Sequence, residues 1–293
     1  MLGSDLIKVF ASHEISGIGK QSDRHKQIPY LETDIADRNA VLKAVALFKP
    51  AIVIHTAAYT DVDGCEKNPD QAFSVNVKGT EHVREASEAC GAVLIFISSD
   101  YVFDGKKTGS YQEGDQPNPL SVYGRTKYEA EELLKARSRS VCIVRSGWLF
   151  GANGKNFFRT IMEKALQEKE LQVVNDQKGA PTYTKDLAQG IKMVAERANR
   201  ISGHQIYHLA NTGQTSWFEA ARKVTEKMRA QVLLKPISSE ILNRPAKRPA
   251  NSVLNMTKIK DQFGIELRKW DEAFNEFWSM VLEKEWQSVT ASR

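Results

Sequence analysis

Tyr123 and Lys127 stand four residues apart in Tyr123-Gly-Arg-Thr-Lys127, where the sequence turns helical. Residues i and i+4 share a helix face, so a phenol and an ammonium would lie side by side there. A phenol, with an ordinary pKa of about 10, is a reluctant acid near neutrality. A cation beside it stabilises the phenolate and brings the group toward the working range, as a proton donor requires. Ser99, Asp100 and Asp104 lie shortly before the pair, in Ser98-Ser-Asp-Tyr-Val-Phe-Asp-Gly105. Each has a plainer reading too. A Tyr-Lys pair also occurs on solvated helix faces, a serine also caps turns, and Asp-Gly also closes them.

The elements that must position these groups read as strands alternating with helices. Ala92-Val-Leu-Ile-Phe-Ile97 is apolar, β-branched and short, which predicts a buried parallel strand ending at the serines. Ala51–His55 predicts another, leaving through the small residues Thr56-Ala57-Ala58-Tyr59-Thr60. Strands are also expected at His13–Gly19, Leu31–Asp37, Val141–Val144, Leu171–Val174 and Gln205–Leu209. Between them fall helices through Leu2, Leu6 and Ile7, through Val41, Val45 and Phe48 (capped by Asp37, stopped by Pro50), and through Ala72 to Val83. Further helices are expected at Phe157–Leu166, Asp186–Ala198 and after Thr215, with an amphipathic one carrying Trp270, Phe274, Phe277 and Trp278. Such alternation implies an α/β fold, a doubly wound parallel sheet of Rossmann type with a smaller C-terminal substrate domain. The division expected is 1–145 for a dinucleotide-binding domain, with segments near 171–210 returning to it, and 146–293 mainly for substrate, interleaved.

Composition narrows the class. The chain has 293 residues and a net charge of +5, its Lys and Arg spread rather than clustered, which argues against a nucleic-acid stripe and leaves cations for a phosphorylated small molecule. No apolar run approaches the roughly 18 residues that span a bilayer, and no leader pattern opens the chain, so a soluble, cytoplasmic protein without membrane contact is expected. Cys65, Cys90 and Cys142 lack CxxC spacing and are odd in number, which predicts reduced thiols. His204 and His208 fall on one face of a strand, about 13 Å apart, and no metal site is expected.

Six motifs, taken together and in order, resemble the dTDP-4-dehydrorhamnose reductases of the extended short-chain dehydrogenase/reductase group. They are Ala57-Ala-Tyr-Thr60 with Asn76, Ile97 to Gly105, Tyr123 to Lys127, Arg145-Ser-Gly-Trp148, Asn175 to Thr182, and Arg248-Pro-Ala-Asn-Ser252. The resemblance implies reduction of the 4-keto group of dTDP-4-dehydro-L-rhamnose by NADPH or NADH, for surface polysaccharides, with a homodimer possible. It implies Tyr123 as proton donor, Lys127 as partner of the phenol and of the nicotinamide ribose, and Ser99, where the family usually has threonine, on the reacting oxygen. Asp34 and Ile35 would lie around the adenine, and Ala57, Ala58, Tyr59 and Thr60 would let the cofactor approach the backbone. Trp148 would contact the sugar, with Asp100 and Asp104 on the substrate side, and the Arg248 guanidinium suits a diphosphate. Lys20 and Arg24 follow the second expected strand and would accommodate a 2′-phosphate.

The beginning departs from the pattern. Family members open with a buried strand and a GxxGxxG turn that carries the pyrophosphate to a helix N-terminus. With Gly3 as the third glycine, about ten residues and the first strand are expected to be missing. Two alternatives to the reductase therefore stay open at this point: a non-catalytic reductase-like regulatory or binding protein, and a related sugar-nucleotide epimerase or dehydratase.

Overall fold

The run Val93-Leu-Ile-Phe-Ile-Ser-Ser99 is the central piece of the fold in the computed structural model, which describes residues 1–20, 27–198 and 201–291. In chain order the strands are β1 (Gly17–Gly19), β2 (Tyr30–Glu32), β3 (Ile52–His55), β4 (Val93–Ser99), β5 (Val141–Ser146) and β6 (Leu149–Phe150). They continue as β7 (Glu170–Val174), β8 (Lys178–Gly179), β9 (Thr182–Tyr183), β10 (His204–His208), β11 (Thr215–Ser216) and β12 (Leu233–Ile237). The main sheet runs β10-β5-β4-β3, every pair parallel. Both of its faces are covered. Ile95 and Ile97 point into one apolar cluster with Leu187 and Ile191, while Leu94 and Phe96 point into the opposite one with Val41, Val83 and Leu134. This alternation is the period-two consequence of strand geometry, and burying each such Ile or Phe is worth on the order of 2 kcal/mol.

Helices Arg38–Phe48, Gly79–Ala89 and Val122–Arg137 cover the second face, and helices Leu2–Val9 and Thr184–Ala195 pack together over the first. The expected cap is present: Asp37 accepts from the Ala40 N–H at 3.0 Å. The same helix ends in Lys49, left-handed at φ 46°, ahead of Pro50. β1 and β2 form a separate parallel pair, and among the described residues no strand pairs with the outer edge of β3.

Of the segment expected to return, β10 joins the main sheet and helix Thr184–Ala195 packs onto it. The expectation does not hold for β7, which pairs with β12 instead. The physical reason is that Leu171 and Val173 find their apolar partners in a second core built on Phe150, Phe158, Trp270, Phe274 and Phe277. That core belongs to a lobe made mostly of later sequence. The three cysteines are free thiols. His204 bonds the Ser138 carbonyl at 2.6 Å and His208 the Tyr111 carbonyl at 3.1 Å, and no cluster of metal-ligating side chains occurs among the described residues.

Candidate active site

β4 ends where the chemistry begins. Ser99 is its last residue, buried, and its Oγ accepts the Tyr101 N–H at 3.2 Å to cap the short turn that follows. Helix Val122–Arg137 then lays its first turn across that strand end. Ser121 caps it by accepting from the Gly124 N–H at 3.1 Å, and Glu66 accepts the Val122 N–H at 2.7 Å. Gly124 is required here, because a Cβ would overlap the Tyr101 carbonyl. Tyr123, in the first turn, shares a hydrogen bond with Ser99 and meets the Tyr101 ring edge-on at 5.7 Å. Burial raises the phenol above its ordinary pKa, and the Ser99 bond works against that rise.

One turn on, Lys127 is buried. Its Nζ donates to the Ile97 carbonyl at 2.8 Å and sits 4.0 Å from the centre of the Phe96 ring. Burial lowers its pKa to about 7, while Glu131, one further turn along the same face, pulls it upward. Glu131 is itself fully buried. It takes a forked pair of bonds from Arg145 on β5, Nε to Oε1 at 2.9 Å and Nη2 to Oε2 at 2.6 Å, and a further bond from the Ser98 hydroxyl. Register explains the meeting, since Ser98 and Arg145 are cross-strand partners. Nothing in the spacing of Glu131 marked it out beyond its place eight residues after Tyr123.

A cavity of about 800 Å3 lies beside the β3 exit, and of the residues expected around a cofactor Ala57 lines it. Its walls include Ser4, Lys8, Lys20, Tyr30, Ala57 and Asn153. Volume and lining fit a dinucleotide: the size is that of a ligand site, two lysines face it, and the first turn of helix Leu2–Val9 contributes Ser4. Gly3 lies in that turn, and a Cβ there would meet only Thr56 Oγ1 at 3.7 Å, an ordinary contact. Asp34 accepts from the Ala36 N–H at 3.0 Å and pairs with Lys20 at 2.8 Å. Burial alone would raise this carboxyl, but those partners outweigh it and hold it below its usual value. Ile35 is buried in the core, and its carbonyl is bonded by His82 at 2.9 Å. Tyr59 is fixed from both sides by Asn76, which accepts its N–H at 2.8 Å and donates to its carbonyl at 3.2 Å. Ala58 is half-buried, and Ala57 and Thr60 are exposed. Arg24 lies outside the described residues.

On the substrate side, Trp148 follows β5 with a left-handed backbone, φ 52°. Its indole stacks on Trp217, ring centres 3.5 Å apart and 5° from parallel, and donates to Ser252 Oγ at 3.1 Å. Arg248 engages Asp63 through two nitrogens, Nη1 to Oδ1 at 3.2 Å and Nη2 to Oδ2 at 2.8 Å, and also bonds Tyr101. Asp104 is placed in its own loop, where Lys106, Tyr111 and Asn118 occupy both carboxylate oxygens. Asp100 is buried beneath Ser99. Thus Ser99, Asp100, Tyr123, Lys127 and Trp148 converge, whereas the Asp104 carboxylate is spent within a turn. Asp63 and Trp217 were missed in the sequence, because long chain separations hide their partners.

Comparison with known proteins gives the family. The RmlD substrate binding domain family matches residues 1–282. The chain is 38% identical over 254 residues to the dTDP-4-dehydrorhamnose reductase of Aggregatibacter actinomycetemcomitans, covering 84% of this chain and 86% of that protein. It is 38% identical over 245 residues to the spore coat polysaccharide biosynthesis protein SpsK of Bacillus subtilis, covering 83% and 84%. A solved dTDP-4-dehydrorhamnose reductase from Bacillus anthracis, in complex with NADP, superposes with a TM-score of 0.83 at 32% identity, covering 91% of this chain and 99% of that one.

Proposed function

The chain belongs to the RmlD substrate binding domain family, and from that premise we propose that it reduces the 4-keto group of dTDP-4-dehydro-L-rhamnose with NADPH, yielding dTDP-L-rhamnose. The observation that carries the reading is the meeting of the Tyr123 and Ser99 hydroxyls at the end of β4, with the Lys127 ammonium buried one helical turn behind. When bound, the reduced nicotinamide supplies a hydride to the ketone carbon. Negative charge then develops on the ketone oxygen, and the site must neutralise it as it forms.

Tyr123 gives its hydroxyl proton to that oxygen, so an alcohol and a phenolate result. The Lys127 cation stabilises the phenolate from behind, and Ser99 holds the phenol oxygen in place by its hydrogen bond. The cavity beside β3 takes the cofactor, with Lys8 and Lys20 toward its phosphates and Asp34 near the adenosine end. Lys20 favours a 2′-phosphate, which supports NADPH over NADH. The Trp148–Trp217 stack forms a flat wall suited to a sugar ring, and Arg248 can exchange Asp63 for a diphosphate, an anion that also accepts a forked pair of bonds. Following the absorbance of NADPH with dTDP-4-dehydro-L-rhamnose tests the reading. Oxidation of NADPH matched by dTDP-L-rhamnose is expected; no oxidation by a folded protein that binds both ligands refutes it.

A further inference from the structure

Asp100 is 2% exposed, yet it carries a carboxylate directly under the catalytic hydroxyl. Its Oδ1 accepts from Ser99 Oγ at 3.2 Å, and Ser252, whose hydroxyl also lies 3.5 Å from the Lys178 carbonyl, is its second side-chain partner. An ionised carboxylate can only accept, so Asp100 competes with the Tyr123 oxygen for the single Ser99 hydrogen. The other branch ends on Trp148, since Ser252 Oγ receives the indole N–H at 3.1 Å. One buried group therefore touches both the hydroxyl that orients the proton donor and the hydroxyl that orients the aromatic wall. The fold also makes room for it: Gly147, between β5 and Trp148, lies where a Cβ would overlap the Asp100 carboxyl.

We propose that Asp100 is a positioning residue of the reductase site, whose carboxylate sets the direction of the Ser99 hydroxyl and, through Ser252, the placement of the Trp148 indole. The inference rests on the reductase reading for its kinetic consequences but not for the link itself. The titratable groups facing Asp100 are Tyr101 from its own turn and Tyr123 from the helix; Arg248 bonds Tyr101 from the segment that also brings the neutral Ser252. Burial raises the Asp100 carboxyl to about 6. The native carboxylate is therefore present above that value and is lost as pH falls through it, which would release Ser99 and Ser252 together.

The test uses the full chain, Asp100→Asn, and Gly147→Ala, which displaces the carboxyl without removing it. With NADPH and the keto sugar, both variants are expected to lose roughly tenfold or more in kcat, at the low end of what acid–base groups contribute. Asp100→Asn also loses the acid limb near pH 6 that the wild type shows in kcat. A merely structural role would lower the melting temperature and leave that limb in place. Independently of turnover, indole fluorescence of the wild type is expected to step near pH 6 without ligands, and Asp100→Asn to lack the step. A wild type without turnover would refute the reductase reading alone, because the fluorescence arm still decides the link. Wild-type kcat and limb in Asp100→Asn, or a step that persists in it or is missing from the wild type, would overturn the proposal.

Discussion

At the residue scale the account turns on two groups, one neutral and one charged. Tyr123→Phe removes the proton that Tyr123 offers to the ketone oxygen, so kcat is expected to fall by about 10^2- to 10^4-fold while NADPH affinity is kept. Steady-state kinetics with a fluorescence titration of NADPH checks both halves. Lys127 is expected to set the alkaline side of the pH profile. Burial disfavours its ammonium form, so the proton leaves near pH 7 rather than at the ordinary value of 10.5. The charged fraction therefore falls as pH rises through about 7, and kcat is expected to fall with it; Lys127→Met should abolish this limb along with most of the rate. A flat profile across the neutral range would contradict the role given to the ammonium.

At the scale of elements, the helix of Tyr123 is anchored to β5 by the buried Glu131–Arg145 ion pair. Removing one partner of such a pair leaves an uncompensated charge in the core and costs about 3–5 kcal/mol, whereas replacing both with apolar residues of similar size is close to neutral. Glu131→Gln alone is therefore expected to lower the urea midpoint strongly, and the Glu131→Met, Arg145→Met double variant to recover most of the loss. Equal stability of the single variant and the wild type would mean that the pair does not hold the helix to β5.

Elements were the most legible level of the sequence. The β4 run, the Asp37 cap and the Tyr123 helix all follow from local patterns, because each is decided by residues within a turn or two of one another. Pairings across the chain were not legible. Asp63 meets Arg248 across 185 positions, and β7 pairs with β12, a segment for which no strand was expected. Asp104 shows the converse: Asp-Gly has a local structural use, and that use consumes its carboxylate.

At the scale of the whole molecule, two buried histidines couple the fold to pH. His55 sits at the end of β3, bonded to Thr80 at 3.1 Å, and His208 at the end of β10. Burial, helped by Lys127 at one and Arg145 at the other, lowers both to about 3 from an ordinary 6.5. The unfolded chain takes up these protons first, so the stability they represent is complete above pH 6.5 and is lost progressively as pH falls toward 3. Urea midpoints measured across that range are expected to decline, and replacing both histidines with glutamine should flatten the decline.

The most direct test is stopped-flow absorbance of NADPH on mixing the purified full chain with dTDP-4-dehydro-L-rhamnose, run beside Tyr123→Phe. The account predicts stoichiometric oxidation to dTDP-L-rhamnose by the wild type and a rate lower by at least about a hundredfold in the variant. Oxidation at the same rate in both, or none in a wild type that binds both ligands, would contradict it.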